Sequence, residues 1–299
     1  MRSPSGSAPS RGPAAASTAD AVWPEPVCTV GVEVGGGDDR VPQHDRVAEE
    51  IPVAMVYNGV SHAVMMASPG DLEDFGLGFS LTEGILQRPD QLFGVDVVNR
   101  AEGIAVEMNI AGECFARLRE QRRNLTGRTG CGLCGTESLA HAVRPISPVP
   151  GRPLPGDAVV QAALAGLKEH QPLQAQTGAT HGAAWCDEEG RIMLVREDVG
   201  RHNALDKLIG ARVRAHGDQA FAQGFALISS RASFEMVQKS ASMGIGTLVA
   251  VSAPTALAIR QARSSGLNLI GFARPGRHVI YTQGGERLTA DHPEQENDL

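Results

Sequence analysis

Two thiols three positions apart, in Gly130-Cys131-Gly132-Leu133-Cys134-Gly135, carry the most reactive chemistry in this chain. Three glycines around them leave little steric restriction and little side-chain cover, so both sulfurs can meet an incoming molecule. The stretch that leads into them, Arg117 to Arg128, holds Arg117, Arg119, Arg122, Arg123 and Arg128 against Glu120. By itself such a run reads as a solvated helix face. Cations beside a thiol, and a second thiol nearby, also favour the thiolate, which is the nucleophilic form. A thiolate attacks an activated sulfur and stores it as a persulfide, a reversible cap on cysteine. The second cysteine then assists release, or protects the first by forming a disulfide.

Other uses of a Cys-x-x-Cys pair fit less well. Structural zinc wants four ligands in paired spacings. Here the remaining candidates, Cys114, His141, His181 and Cys186, stand isolated, so no metal site is expected. A thioredoxin-like redox pair opens a helix directly after a strand. This one lies between an arginine-rich stretch and a proline-rich one. Persulfide or disulfide exchange is the chemistry these residues favour.

A second set of residues gathers at junctions that follow apolar strands. They are Glu197-Asp198-Val199-Gly200-Arg201-His202-Asn203, Ser229-Ser230-Arg231-Ala232-Ser233, Ser252-Ala253-Pro254-Thr255 and Phe272-Ala273-Arg274-Pro275-Gly276-Arg277. Strand ends of an α/β sheet share one crevice, where ligands commonly bind. Unpaired N–H groups at helix starts suit phosphate, and Arg201, Arg231, Arg274 and Arg277 add cations. Taken singly each junction is ordinary helix capping, and Arg201–Asp206 or Asp198–Lys207 read as plain ion pairs. His181 and His202 serve equally as acid–base groups or as structural histidines. The chain has neither Gly-x-x-x-x-Gly-Lys-Ser/Thr nor Gly-x-Gly-x-x-Gly, so neither an ATPase nor a nicotinamide enzyme is indicated.

The elements that must hold these residues follow from patterning. Residues 1–24 read as a disordered tail without a secretory leader. Ile51 to Ala67 holds two apolar stretches around Asn58-Gly59, the dipeptide of a tight hairpin. A helix start at Ser68-Pro69-Gly70-Asp71, then strands at Phe93–Val98 and Gly103–Ile110, complete a smaller α+β domain over 25–144. Five prolines and two glycines in Pro145 to Gly156 mark a linker, 145–156. From 157 to 289 the pattern becomes a helix carrying Val160, Ala163, Leu164 and Leu167, a hairpin at Ala183–Cys186 and Arg191–Val195, and a helix with Leu205, Leu208, Ile209 and Val213. Strand Phe225–Ser229, helix Ser233–Met243, strand Thr247–Ser252, helix Thr255–Ser264 and strand Leu267–Phe272 follow. That alternation predicts an α/β fold with helices on a sheet. Residues 290–299 form a tail.

At 299 residues, 42% apolar and 20% charged, the composition suits a globular protein of one large or two modest domains. The net charge of −7 argues against nucleic-acid binding. No stretch reaches the ~20 apolar residues of a membrane helix. Five cysteines in so long a chain make no disulfide scaffold, which fits a reducing cytoplasm.

Across roughly Val27 to Thr282 the chain resembles the FdhD family. The segments that carry the resemblance are Gly78 to Gly84, Thr129 to Gly135, Thr180-His181, Arg196 to Ala204 with Asp206-Lys207, Arg231 to Val237 with Lys239, Ser252 to Thr255, and Gly271 to Arg277. The resemblance implies a sulfur carrier, or sulfurtransferase, that takes sulfur from a cysteine desulfurase and passes it to the molybdenum cofactor, in its bis-guanine-dinucleotide form, before that cofactor enters formate dehydrogenase. It implies Cys131 as the persulfide-bearing cysteine and Cys134 as its partner. It also implies Phe272, Ala273, Arg274, Pro275, Gly276 and Arg277 as the cofactor-binding segment. The fold it implies is a cytidine-deaminase-like mixed sheet with flanking helices plus the smaller α+β domain, in a homodimer. The deaminase zinc signature is missing, so deamination is not expected. Ser230 stands where the family pattern has glycine. A dithiol oxidoreductase cycling Cys131 and Cys134, and a non-catalytic cofactor chaperone, are the alternatives.

Overall fold

The computed structural model describes residues 23–36, 39–126 and 148–284, with the backbone alone at Asp39 and 121–126. Cys131 and Cys134 lie outside the described residues, as do both tails beyond 22 and 284.

The described chain opens with an antiparallel ribbon, β1 (Val27–Gly36) and β2 (Asp39–Ala48). The reading by periodicity placed no element here, because glycines and Pro42 dilute the strand signal. The pairing brings Cys28, Val30, Val32 and Val34 opposite Val47, Asp45, Gln43 and Val41. β3 (Ile51–Tyr57) and β4 (Val60–Ala67) then form the hairpin predicted at Asn58-Gly59, whose φ angles are 46° and 79°. With β5 (Leu92–Arg100) and β6 (Gly103–Ile110) they make a four-stranded sheet in the order β4-β3-β6-β5. Helix α1 (Leu72–Thr82) buries Leu72 and Phe75 in the same core as Val53, Met55, Val106 and Met108 of that sheet. Helix α2 (Gly112–Thr126) leads toward the cysteine segment.

After residue 148 come α3 (Asp157–Glu169) and a short helix α4 (Pro172–Thr177). Strands β7 (His181–Cys186), β8 (Ile192–Asp198), β9 (Phe225–Ile228), β10 (Thr247–Ala250), β11 (Asn268–Arg274) and β12 (Arg277–Thr282) form a mixed sheet in the order β12-β11-β10-β9-β7-β8. β9, β10 and β11 run parallel, while β7, β8 and β12 are antiparallel to their neighbours. Helices α5 (Arg201–His216), α6 (Phe234–Ser242) and α7 (Ala256–Ser265) connect them. Alternate side chains of each strand feed opposite faces. Leu227, Val249 and Ile270 pack with Val160, Ala163 and Leu167 of α3. Ala226, Leu248 and Leu269 belong instead to the core that contains α5, α6 and α7.

That second core continues without a break into the four-stranded sheet. The seam is a crossing of α1 and α5 at Gly78 and Gly210. A Cβ on Gly78 would lie 1.8 Å from the Asp206 carbonyl oxygen, and one on Gly210 would lie 1.9 Å from that of Asp74. Only glycine on both helices permits backbones this close.

Candidate functional site

The strand-end junctions do converge, and backbone hydrogen bonds join them edge to edge. Phe272 N–H donates to Ser252 O, Ala232 N–H to Ala253 O, and Thr255 N–H to Ala232 O. Ser229 Oγ accepts from the Gly182 N–H and so ties in β7. Thr255 caps α7 by accepting from the Ala258 N–H. Ser233 begins α6 but makes no capping bond, and its buried hydroxyl has no partner among the described residues.

Much of the polar sequence around these junctions holds the two halves together. Asp198 and Lys207 form a wholly buried pair at 2.7 Å. The Asp198 carboxylate also accepts from the N–H groups of Ser68 and Gly200 and from Asn203 Nδ2, while Lys207 donates to Ser68 O. Asp206 pairs with Lys239 at 2.9 Å and accepts from Thr82 Oγ1 at 2.7 Å. The expected Arg201–Asp206 pair is therefore replaced, because Asp206 lies on the face of α5 turned to α1 and α6. Lys239 also meets Glu83 at 2.8 Å. Burial pushes the Asp206 carboxyl up, against the pull of Lys239. Burial alone would lower Lys239, but Asp206 and Glu83 overcome it and hold the ammonium above its ordinary range. Two carboxylates against one ammonium leave surplus negative charge here. Glu197 accepts from the N–H groups of Leu173 and Gln174 at the start of α4 and from Thr180 Oγ1.

The histidines flank this ledge. Burial lowers His181 below its ordinary range, with Arg201 adding to the effect and Asp198 opposing it. His202 Nε2 lies 2.8 Å from Glu235 Oε2. Burial lowers it too; Glu235 opposes, and Arg201, Lys239 and Arg231 reinforce the shift.

The segment 272–277 closes β11 onto β12 through a Pro275-Gly276 turn with Arg274 opposite Arg277. A bulge precedes the turn, and there Phe272 adopts φ 47° and is 37% exposed. A left-handed conformation at a bulky residue stores about 1–3 kcal/mol and marks a site held by its surroundings. Ala273 points into the α3 core, whereas Arg274, Pro275, Gly276 and Arg277 are exposed. Ala273 to Gly276 border a cavity of about 650 Å³. Its other walls are Gln161, Leu164 and Lys168 of α3, Gln171, and Gln174 of α4, with Ser229 and Val251 at the strand ends. Phe272 and Arg277 lie outside that lining. The Gly276 N–H donates to Gln161 Oε1 at 2.8 Å, and His278 Nε2 lies 3.2 Å from Asp157 Oδ1, so the hairpin is docked on α3. Periodicity missed both β12 and α4. Pro172 at the start of α4 was the available signal.

The remaining cysteines are sorted by burial. Cys114 and Cys186 are buried, and burial pushes the Cys186 thiol well up, with Asp187 adding to it. Cys28, on the ribbon, is half-buried. Among the described residues no three His, Cys, Asp or Glu side chains gather as a metal site, and no helix is long and apolar enough to cross a membrane.

The FdhD/NarQ family model matches residues 48–289, which takes in α1, both sheets from β3 onward and the 272–277 hairpin. The chain belongs to the FdhD/NarQ family. Among relatives, this family member is 55% identical over 237 residues to the sulfur carrier protein FdhD of Cupriavidus necator, covering 79% of this chain and 82% of that one. It is 54% identical over 255 residues to the protein of the same name from Bordetella petrii, covering 85% and 90%. A crystal structure from Desulfotalea psychrophila, described as a formate dehydrogenase accessory protein, superposes with a TM-score of 0.66 at 23% identity, over 86% of this chain and 97% of that one. At that identity the match speaks for the mixed α/β fold.

Proposed function

We propose that this family member is a sulfur carrier that receives sulfur from a cysteine desulfurase as a persulfide on Cys131 and delivers it to the molybdenum cofactor destined for formate dehydrogenase. The observation that carries the reading is the Cys131/Cys134 loop in a chain whose relatives, matched over most of their length, are named sulfur carrier proteins. Burial of Cys114 and Cys186 supports it, since a thiol that an incoming molecule cannot reach does not exchange sulfur with it. In the loading step the Cys131 thiolate attacks the outer sulfur of the desulfurase persulfide, and the desulfurase thiolate leaves. In the delivery step Cys134 attacks the inner sulfur of Cys131, forms a disulfide with it and releases hydrosulfide to the metal. A cellular thiol then reduces that disulfide.

The guanine-dinucleotide cofactor is the substrate in this scheme. The hairpin 272–277 and the cavity beside it offer it an apolar wall, the exposed Phe272 and the exposed cations Arg274 and Arg277. A second copy of the chain, the desulfurase and the dehydrogenase are the partners, in the cytoplasm.

Intact mass spectrometry after incubation with a desulfurase and cysteine tests the proposal. One added sulfur atom, removed by reductant and absent in Cys131→Ala, is expected. Wild-type protein that stays unloaded where a control carrier loads refutes it. Loading lost in Cys131→Ala with cofactor binding intact separates a carrier from a chaperone.

A further inference from the structure

Two apolar surfaces of the described chain stand open to water. The first is one face of the β1–β2 ribbon. Cys28, Val30, Val32 and Val34 alternate along β1, and Val41 and Val47 of β2 lie directly opposite Val34 and Cys28, on the same face. The ribbon rests against α4. At its base Cys28 and Val47 are half-buried, whereas toward its tip Val34 and Val41 are 46% and 52% exposed. A two-stranded ribbon is marginally stable in water by itself, so an apolar end left bare calls for a cover.

The second surface is the face of the four-stranded sheet turned away from α1. On it Val64 and Met66 of β4 lie opposite Ala54 and Pro52 of β3, and none of the four carries a charge. Val64 is 61% exposed and Met66 48%. The chain does not bring its own two surfaces together. The Glu49 N–H donates to Pro26 O and carries the ribbon ladder to one residue from β3, which leaves no slack for the arm to fold back. Its tip lies about 30 Å along the ribbon from Ala48.

We propose that two copies of this chain exchange these arms, the apolar face of each ribbon covering the Val64 and Met66 face of the other copy. The size of the contact selects this arrangement. A face two strands wide and about 30 Å long offers roughly 300 Å². In a reciprocal exchange about a two-fold axis four such faces are buried, about 1,200 Å² in all, which is the lower bound for a specific, stable interface. A ribbon packed only on its twin buries about half as much, in the range of casual contacts. The assignment rests on the reading that a second copy is a partner, and it adds which surfaces meet.

Sedimentation velocity on the full chain and photo-crosslinking test it together. Val34→Lys and Val64→Lys alter side chains that are exposed in the single chain, so each variant folds. Each places two ammonium groups per dimer in the apolar contact, and association is expected to weaken about a hundredfold or more. Met193→Lys, at an exposed methionine on neither face, is expected to associate like wild type. Benzoylphenylalanine in place of Val34, irradiated in a mixture of isotopically light and heavy chains, is expected to join a light chain to a heavy one at β4. A cross-link from ribbon to ribbon, or one confined to a single chain, overturns the exchange. So does a dimer that survives both lysine substitutions, which leaves association to another surface. A wild-type chain that sediments as a monomer removes the second copy itself, and sulfur loading of Cys131 is read independently of all these results.

Discussion

Replacing Gly78 by alanine puts a methyl group 1.8 Å from the Asp206 carbonyl oxygen and 2.9 Å from the Gly210 nitrogen. Ordinary contact begins near 3.4 Å, so α1 and α5 must part by about 1.6 Å. Rotamer change cannot relieve this, because the obstructing atoms are backbone. Overpacking of this kind costs about 1–3 kcal/mol. The same displacement stretches bonds that cross the seam, among them Thr82 Oγ1 to Asp206 at 2.7 Å and Arg196 Nη2 to Asp74 at 2.8 Å. Loss of one charged hydrogen bond adds about 1.5–3 kcal/mol. Alanine recovers about 1 kcal/mol of helix propensity. The net expectation is destabilisation of about 3 kcal/mol, or a Tm lower by roughly 5 °C for a chain of this size. Calorimetry or circular dichroism melting reads it, with Gly70→Ala as control because nothing lies within 4 Å of a Cβ there. A Gly78→Ala protein that melts at or above wild type would refute the close-contact seam.

Two further outcomes follow from the buried charges. Lys207→Met leaves Asp198 ionised without its partner inside the core and should cost about 3–5 kcal/mol in urea unfolding, whereas Asp198→Asn combined with Lys207→Met should recover part of that; a single variant as stable as wild type speaks against the pair. His181 and His202 are both held below their ordinary range, so the folded state binds fewer protons than the unfolded chain, whose histidines titrate near ~6.5. Their contribution is present above that pH and is lost as pH falls through it toward the folded values. The melting temperature should drop between pH 7.5 and 5.5, less steeply in His181→Phe, and an unchanged slope in that variant excludes His181 as a cause.

The hairpin at Asn58-Gly59, α1 from Leu72 and the β9–α6–β10–α7–β11 run were legible in the sequence because they rest on local signals: turn residues, caps and short apolar periods. The cysteine loop, two thiols and three glycines within six residues, lies outside the described residues, and its chemistry stands as a proposal. Element ends shifted by a residue or two; Gly156, for instance, precedes α3 as its cap and Asp157 falls in the first turn. The ribbon β1–β2 was missed although Cys28, Val30, Val32 and Val34 alternate with Thr29, Gly31 and Glu33, because glycines interrupt β1 and the partner strand carries Pro42 and no such alternation.

What the sequence determined by itself was therefore most of the elements, though not β1, β2, β12 or α4, together with the Cys131/Cys134 pair and the polar segment 272–277 as residue patterns. Tertiary structure decided partners. The Asp198–Lys207 pair expected from the sequence forms, but Asp206, one residue before Lys207, reaches Lys239 instead of Arg201, because neighbours on a helix face different directions. Gly78 and Gly210 acquire meaning only against each other, and the cavity exists only where α3, α4 and three strand ends meet. Several of these contacts, Thr82 with Asp206 and Gly78 with Gly210 among them, join residues more than a hundred positions apart in the chain, and no local propensity encodes which of several distant partners packing will bring near.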